Sequence, residues 1–344
     1  MRWLTLIALT LLGALAGDAV GLPSAALFAG MLAGIAVALA WPGAGEPRGV
    51  PARLRTVAEA LVGVVLGTYV QLSTLQEIAG DAVPIALVTL ATLGLSVASG
   101  LVLARVTELD RATAAFGTIA GGATGVIVMA RELGADQRLV AVLQYLRVVV
   151  VVLLTPVLVA VAFGSDGASG SGGGVSTQEA GLQGAAFALV CGAAGLLLAR
   201  RVPLPAPTLL LPLLVAAALT VSGAPGVRGV SDLLQQLSFG VIGVEVGLRF
   251  TRESLRRAGR VLLPALALIA ALLVGSFGLA LVLAPLAGVS TLTAYLATTP
   301  GGLYAVLAVA VSSGADTTFV LAVQVLRLLV MLVAAPALAK RLRE

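Results

Sequence analysis

The chain alternates long apolar runs with short polar breaks, and the runs fall into two sets of six. The first set covers 3–19, 22–41, 56–73, 82–104, 112–130 and 139–163. The second covers 183–199, 204–222, 234–249, 261–285, 291–311 and 318–338. Each run is close to the roughly 20 residues that a helix needs to cross a bilayer core. Most are apolar on every face, which is the pattern of a membrane span rather than of an amphipathic surface helix. The stretch between the sets, 164–181, is rich in Gly and Ser and holds no Lys or Arg, the composition of a flexible linker. The predicted organisation is therefore a first membrane repeat at 1–163, a linker at 164–181 and a second membrane repeat at 182–344.

The two sets are copies of one unit. Residues 116–156 align without a gap on 296–336 at an offset of 180, with 14 of the 41 positions identical. Both copies carry a Gly pair (Gly121 and Gly122; Gly301 and Gly302). Both then carry Gly-Ala-Asp, ending at Asp136 and Asp316, and a Gln-x-Leu-Arg motif (Gln144 and Arg147; Gln324 and Arg327). A proline follows each arginine, at Pro156 and Pro336. The fifth run of each set is broken in its middle, by Gly121, Gly122, Thr124 and Gly125 in one and by Thr298, Thr299, Pro300, Gly301 and Gly302 in the other. Backbone groups freed at such a break must be buried in protein or face a water-filled cavity. Two geometries fit: a broken helix that crosses, or a re-entrant hairpin that turns back.

Composition agrees with a polytopic membrane protein. The chain is 59% hydrophobic and 11% charged, with a mean hydropathy of +1.10, against roughly 25% charged residues in soluble domains. Its net charge of +5 lies in short loops rather than in a basic domain, so nucleic acid is not an expected partner. The absence of His argues against copper, haem and most catalytic zinc sites. The single Cys191 reads as a small apolar helix residue. Residues 1–17 resemble a secretory signal, but 13–23 has an internal counterpart at 195–205, which favours a retained first helix.

The basic residues also weigh the two geometries. If each fifth run turns back, each set crosses five times and the second set is inverted relative to the first. With the N-terminus inside, 18 of the 21 basic residues then face the cytoplasm, Arg228 faces outward, and Arg147 and Arg327 lie within the membrane. If both fifth runs cross, most of the second set's basic residues move outside, against the positive-inside tendency. The expectation is an all-helical protein of two inverted repeats, with about ten spanning helices and two Gly-broken segments, in a bacterial inner membrane with both termini cytoplasmic.

Candidate chemistry gathers at the breaks. Two hairpin tips entering from opposite faces would meet near the midplane, and backbone N–H groups at half-helix starts attract anions. The candidate solute-binding residues are Gly121, Gly122, Thr124, Gln144, Arg147, Thr298, Thr299, Gly301, Gly302, Gln324 and Arg327. Each Arg lies about 12–14 Å along its helix, and each Gln precedes it by three residues on the same face. Two roles fit the arginines: binding an anionic group, or donating to carbonyls freed by the adjacent break. Asp136 and Asp316 read as N-caps of the sixth helices, with a coupling-cation ligand as the alternative. Glu245 and Arg249 read as a helix-end pair. Neither a nucleophile–base pair nor a metal cluster is visible, so no enzyme activity, cofactor or metal is expected.

At these residues the sequence resembles the AbrB-type membrane protein family, which carries ammonia-monooxygenase and regulator labels. The resemblance rests on Leu-Pro at 22–23 and 204–205, on Ala-Thr-Thr-Pro-Gly-Gly at 297–302, and on Gly-Ala-Asp followed by Gln-x-Leu-Arg in both halves. It covers nearly the whole chain apart from the linker. In the first half Ala120 stands where the second has Pro300, so a less sharp break is expected there. The family looks related to the cation/proton antiporter and anion transporter group. That relation implies a secondary transporter of a small solute, with a homodimer among the partners it allows. The regulator label implies a membrane sensor that affects gene expression indirectly. The monooxygenase label implies a metal that this chain has no His to hold.

Overall fold

The computed structural model describes residues 2–19, 24–40, 49–70, 72–73, 76, 80, 82–119, 126, 130, 134–163, 181–202, 206–223, 230–250, 252, 255–256 and 259–343. Among them the chain is helical, with no strand. In order the helices are α1 (Arg2–Ala19), α2 (Ala25–Ala40), α3 (Ala52–Thr68), α4 (Ala82–Val106), α5 (Arg111–Thr118), α6 (Gln137–Phe163) and α7 (Gly181–Ala199). They continue as α8 (Pro207–Val221), α9 (Asp232–Leu248), α10 (Leu262–Leu286), α11 (Thr291–Thr298), α12 (Leu303–Ser312) and α13 (Thr317–Arg343). Each unbroken run has become one helix within a few residues of its expected ends. Among the described residues three stretches are long and apolar enough to cross a membrane: Ala82–Val106, Gln137–Thr155 and Gly259–Leu286.

The helices form two compact units that interleave the two repeats. One comprises Met1–Glu77, Leu158–Arg249 and Leu307–Thr318, and so takes the first three helices of each repeat. The other comprises Ile78–Val157, Phe250–Val306 and Phe319–Glu344, and so takes α4 to α6, α10, α11 and most of α13.

In the first unit, glycines let helix backbones touch. A Cβ at Gly243 would lie 2.1 Å from the Leu27 carbonyl oxygen, and one at Gly247 would lie 2.2 Å from that of Met31. Four residues along α9 match four along α2, so the two run parallel. Likewise a Cβ at Gly63 would lie 2.3 Å from the Leu209 oxygen and one at Gly67 2.6 Å from the Leu213 oxygen, which makes α3 parallel to α8. Glu245, near the end of α9, accepts from the Val50 N–H at 3.0 Å and lies 3.5 Å from Arg55 near the start of α3. Hence α9 runs antiparallel to α3. The expected Glu245–Arg249 pair is present at 2.6 Å, but the same carboxylate also joins two helices. Cys191 is fully buried in a cluster with Val64, Phe187 and Ala216.

In the second unit each short helix runs beside the sixth helix of its own repeat. The Asp136 N–H donates to Thr113 Oγ1 at 2.9 Å, Gln144 reaches the Phe116 carbonyl at 2.6 Å, and Arg147 reaches that of Thr118 at 3.0 Å. Both residue numbers rise together, so α5 and α6 run parallel from a shared start. Gln324 meets Leu296 and Arg327 meets Thr299 in the same sense, so α11 and α13 are also parallel.

Both short helices open on side-chain caps, Asp110 and Ser290, each accepting from the backbone N–H three residues on. Both stop on an extended residue: Ile119 at φ −61°, ψ 123°, and Thr299 at φ −58°, ψ 128°. Pro300 enforces that geometry on Thr299. Ile119 reaches it before Ala120, and the break expected to be less sharp at Ala120 lies outside the described residues.

Candidate functional site

A helix that stops leaves its last carbonyls without intrahelical partners. In both halves the Gln-x-Leu-Arg motif supplies those partners. Gln144 Nε2 donates to the carbonyls of Phe116 and Ile119 at 2.6 and 2.8 Å. Its Oε1 accepts from Arg147 Nη2 at 2.9 Å, and Arg147 Nη1 donates to the Thr118 carbonyl at 3.0 Å. In the second half Gln324 Nε2 reaches Leu296, Ala297 and Thr299 at 2.8, 3.3 and 3.2 Å. Arg327 Nη1 donates to Thr299 at 2.8 Å, and its Nη2 donates to Gln324 Oε1. Pro300 has no N–H, so the Leu296 carbonyl has no donor four residues on, and Gln324 provides one.

The last residue of each short helix is anchored in turn. Thr118 Oγ1 donates to Ser96 O on α4 at 2.9 Å, and Thr298 Oγ1 to Ser276 O on α10 at 3.0 Å. Thr298 is thus tied to neighbouring backbone. Thr299 carries its carbonyl to Arg327 and Gln324, and its hydroxyl donates to Tyr295 O at 2.7 Å. Gly301 and Gly302 press against α6. A Cβ at Gly301 would come within 2.9 Å of Val151 Cγ1, and one at Gly302 within 3.2 Å of Val148. Gly121, Gly122 and Thr124 lie outside the described residues.

The contacts of the arginines are those of the capping reading. Their terminal nitrogens hold the breaks, while Arg147 Nε and Arg327 Nε are buried with no hydrogen-bond partner. The side chains are almost fully enclosed, at 4% and 5% exposure, and Gln144 and Gln324 at 0% and 1%. The described carboxylates of this unit, Glu108, Asp110 and Asp136, are all exposed. Two buried cations with no buried counter-ion among the described residues are costly, and an anion is the species that would relieve them. Arg147 also lines a small cavity of about 10 Å³ with Gly117, Thr118, Leu143 and Leu272, roughly the room one water needs.

The acids lie elsewhere. Asp136 caps α6, accepting from the N–H groups of Arg138 and Leu139 at 2.9 and 3.1 Å, about 16 Å along the helix from Arg147. Asp316, half-buried, stands immediately before α13 and has a polar partner of its own. Sequence reasoning missed Tyr295 and Thr155. Tyr295 is 1% exposed, and its ring stacks edge-on against Phe277 with centroids 5.7 Å apart. Its hydroxyl faces those of Thr155 and Thr299. The one signal for it was an aromatic hydroxyl one helical turn before a Thr-Pro-Gly-Gly break.

A family model described as "Transition state regulatory protein AbrB" matches residues 31–343. The chain is 33% identical over 343 residues to "Putative regulator AbrB" of Escherichia coli (strain K12), covering 99% of this chain and 96% of that protein. It is 27% identical over 304 residues to "Uncharacterized protein YhjN" of Bacillus subtilis (strain 168), covering 85% and 79%.

Proposed function

The chain belongs to the AbrB family, and from that premise we propose that it is a secondary transporter of a small anionic solute, bound between the two hairpin tips. It is a bacterial inner-membrane protein of two inverted repeats, with ten crossing helices, two re-entrant hairpins and both termini in the cytoplasm. The antiparallel course of α3 and α9, which are third helices of the two repeats, supports the inversion. The two parallel pairs, α2 with α9 and α3 with α8, support it as well. The 18-to-1 division of basic residues supports the orientation.

One observation carries the functional reading. Two buried arginines, one from each repeat, hold the hairpin breaks, keep one N–H each without a partner, and have no buried acid beside them among the described residues. Buried ionisable residues within membranes mark solute and ion pathways, and broken helices placed by repeats are how carriers build such sites. Charge at each tip comes from Arg147 and Arg327, and Gln144 and Gln324 hold them in place.

The test is a thermal-shift titration of detergent-purified protein with small anions and cations, run beside Arg147→Lys and Arg327→Lys. Ligand bound to the folded state raises the apparent melting temperature by mass action. Anions that stabilise the wild type and stabilise both variants less support the reading, and stabilisation by cations alone refutes it.

A second reading, a membrane sensor that binds the same anion without moving it, is favoured by the regulator names of the family and of the Escherichia coli relative. It predicts binding without flux and a cytoplasmic partner protein.

A further inference from the structure

The two hairpin tips are built alike but are not chemically equal. Near the end of α5, positions 115, 116 and 119 hold Ala115, Phe116 and Ile119, all buried and apolar. The positions 180 residues on are Tyr295, Leu296 and Thr299, so the second tip places two hydroxyls where the first has none. A third comes from α6, where Thr155 follows Val151 by one turn, and Val151 itself packs on Gly301. Tyr295 is 1% exposed and Thr299 and Thr155 are 0% and 1%.

Their protons are unevenly used. Thr299 Oγ1 donates to Tyr295 O at 2.7 Å, and Thr155 Oγ1 donates to Val151 O at 2.6 Å. The Tyr295 hydroxyl faces both threonines yet completes a hydrogen bond with neither. A buried phenol without a partner is costly, because it gives up water and receives nothing back. It stands one residue from the arginine's contact, since Thr299, whose side chain it faces, carries the carbonyl that Arg327 holds. Arg147 and Arg327 each have one N–H unpartnered, and a carboxylate oxygen is an acceptor that a guanidinium N–H binds strongly.

Resting on the anion reading above, we propose that the Tyr295–Thr299–Thr155 cluster is the specificity subsite of this chain. Its ligand class is a short carboxylate that carries a second polar oxygen, a hydroxy acid or an oxo acid. The carboxylate meets the arginines, and the second oxygen completes the hydrogen bond that Tyr295 lacks. A site with a buried, unpaired polar group rejects the analogue that cannot pair it more strongly than an apolar pocket rejects an extra group.

The experiment compares isosteric probes, lactate and pyruvate against propionate, by calorimetric titration of the detergent-purified full chain. The wild type should bind lactate or pyruvate more tightly than propionate by about tenfold, the worth of one buried hydrogen bond. In Tyr295→Phe the ratio should fall toward one, and Thr299→Val should lower it as well. The unliganded Tyr295→Phe protein should melt no lower than the wild type, since the lost hydroxyl makes no hydrogen bond, so a changed ratio is not a folding defect. Equal affinities in the wild type, or a preference that survives in Tyr295→Phe, overturns the subsite and leaves the anion reading standing. If none of the three carboxylates binds but inorganic anions do, the carboxylate class is wrong. If no anion binds to folded protein, the anion reading fails and this inference falls with it.

Discussion

Replacing Gln324 by Leu removes the group that closes the second hairpin break while keeping its volume. Three carbonyl contacts are lost from Nε2, at 2.8, 3.3 and 3.2 Å. The Thr299 carbonyl keeps Arg327 Nη1 and the Gly301 N–H, the latter at 2.9 Å. The Leu296 carbonyl keeps nothing from the break, because Pro300 offers no N–H. One orphaned buried carbonyl costs about 1–3 kcal/mol, and losing the amide oxygen on a charged Arg327 nitrogen costs about 1.5–3 kcal/mol more. The expected loss is roughly 3–5 kcal/mol, less whatever an admitted water restores. Urea or thermal unfolding in detergent, followed by circular dichroism, would measure it. A loss below about 0.5 kcal/mol, the usual scatter for inconsequential substitutions, would refute the claim that this side chain caps the break.

Further predictions follow from the packing and the topology. Gly63→Ala places a Cβ 2.3 Å from the Leu209 carbonyl and should destabilise by about 1–3 kcal/mol. Gly192→Ala meets nothing within 4 Å and should be neutral or stabilising by up to about 1 kcal/mol, so melting temperatures of the two should move apart. Glu245→Ala removes the acceptor for the Val50 N–H and the anion between Arg55 and Arg249, with an expected loss of about 1–3 kcal/mol in the same unfolding assay. Single cysteines at Glu108 and Asp136, both exposed and flanking the first hairpin, should be labelled by an impermeant maleimide from the same side of the membrane. Labelling from opposite sides would contradict the hairpin.

The helices were legible because an apolar run bounded by charge has one low-energy form in a bilayer. Their ends were readable within a few residues for the same reason. The hairpins were half legible. Gly-Gly marks a break, but direction is set by which carbonyls the sixth helix reaches, and only the spacing of Gln144 to Phe116 and Arg147 to Thr118 reveals it. The interleaving of the repeats was not legible at all. Homologous glycines such as Gly63 and Gly243 show that backbones approach, not which helix they approach. The candidate residues divide in the same way. Gln and Arg were found because polar groups are conspicuous in an apolar helix. The capping role of both pairs was open, since a carbonyl freed by a break leaves no mark in its own side chain. Tyr295 escaped notice because a lone aromatic in a membrane helix reads as packing, and only its burial without a hydrogen-bond partner sets it apart.

Counterflow in proteoliposomes tests the central proposal most directly. Vesicles loaded with an unlabelled anion that stabilises the protein would be diluted into the same anion carrying a radiolabel. The account predicts transient accumulation of label, weakened in both Arg147→Lys and Arg327→Lys, and absent from vesicles without protein. An anion that binds the reconstituted, folded protein yet never accumulates would contradict transport and leave a sensor in its place.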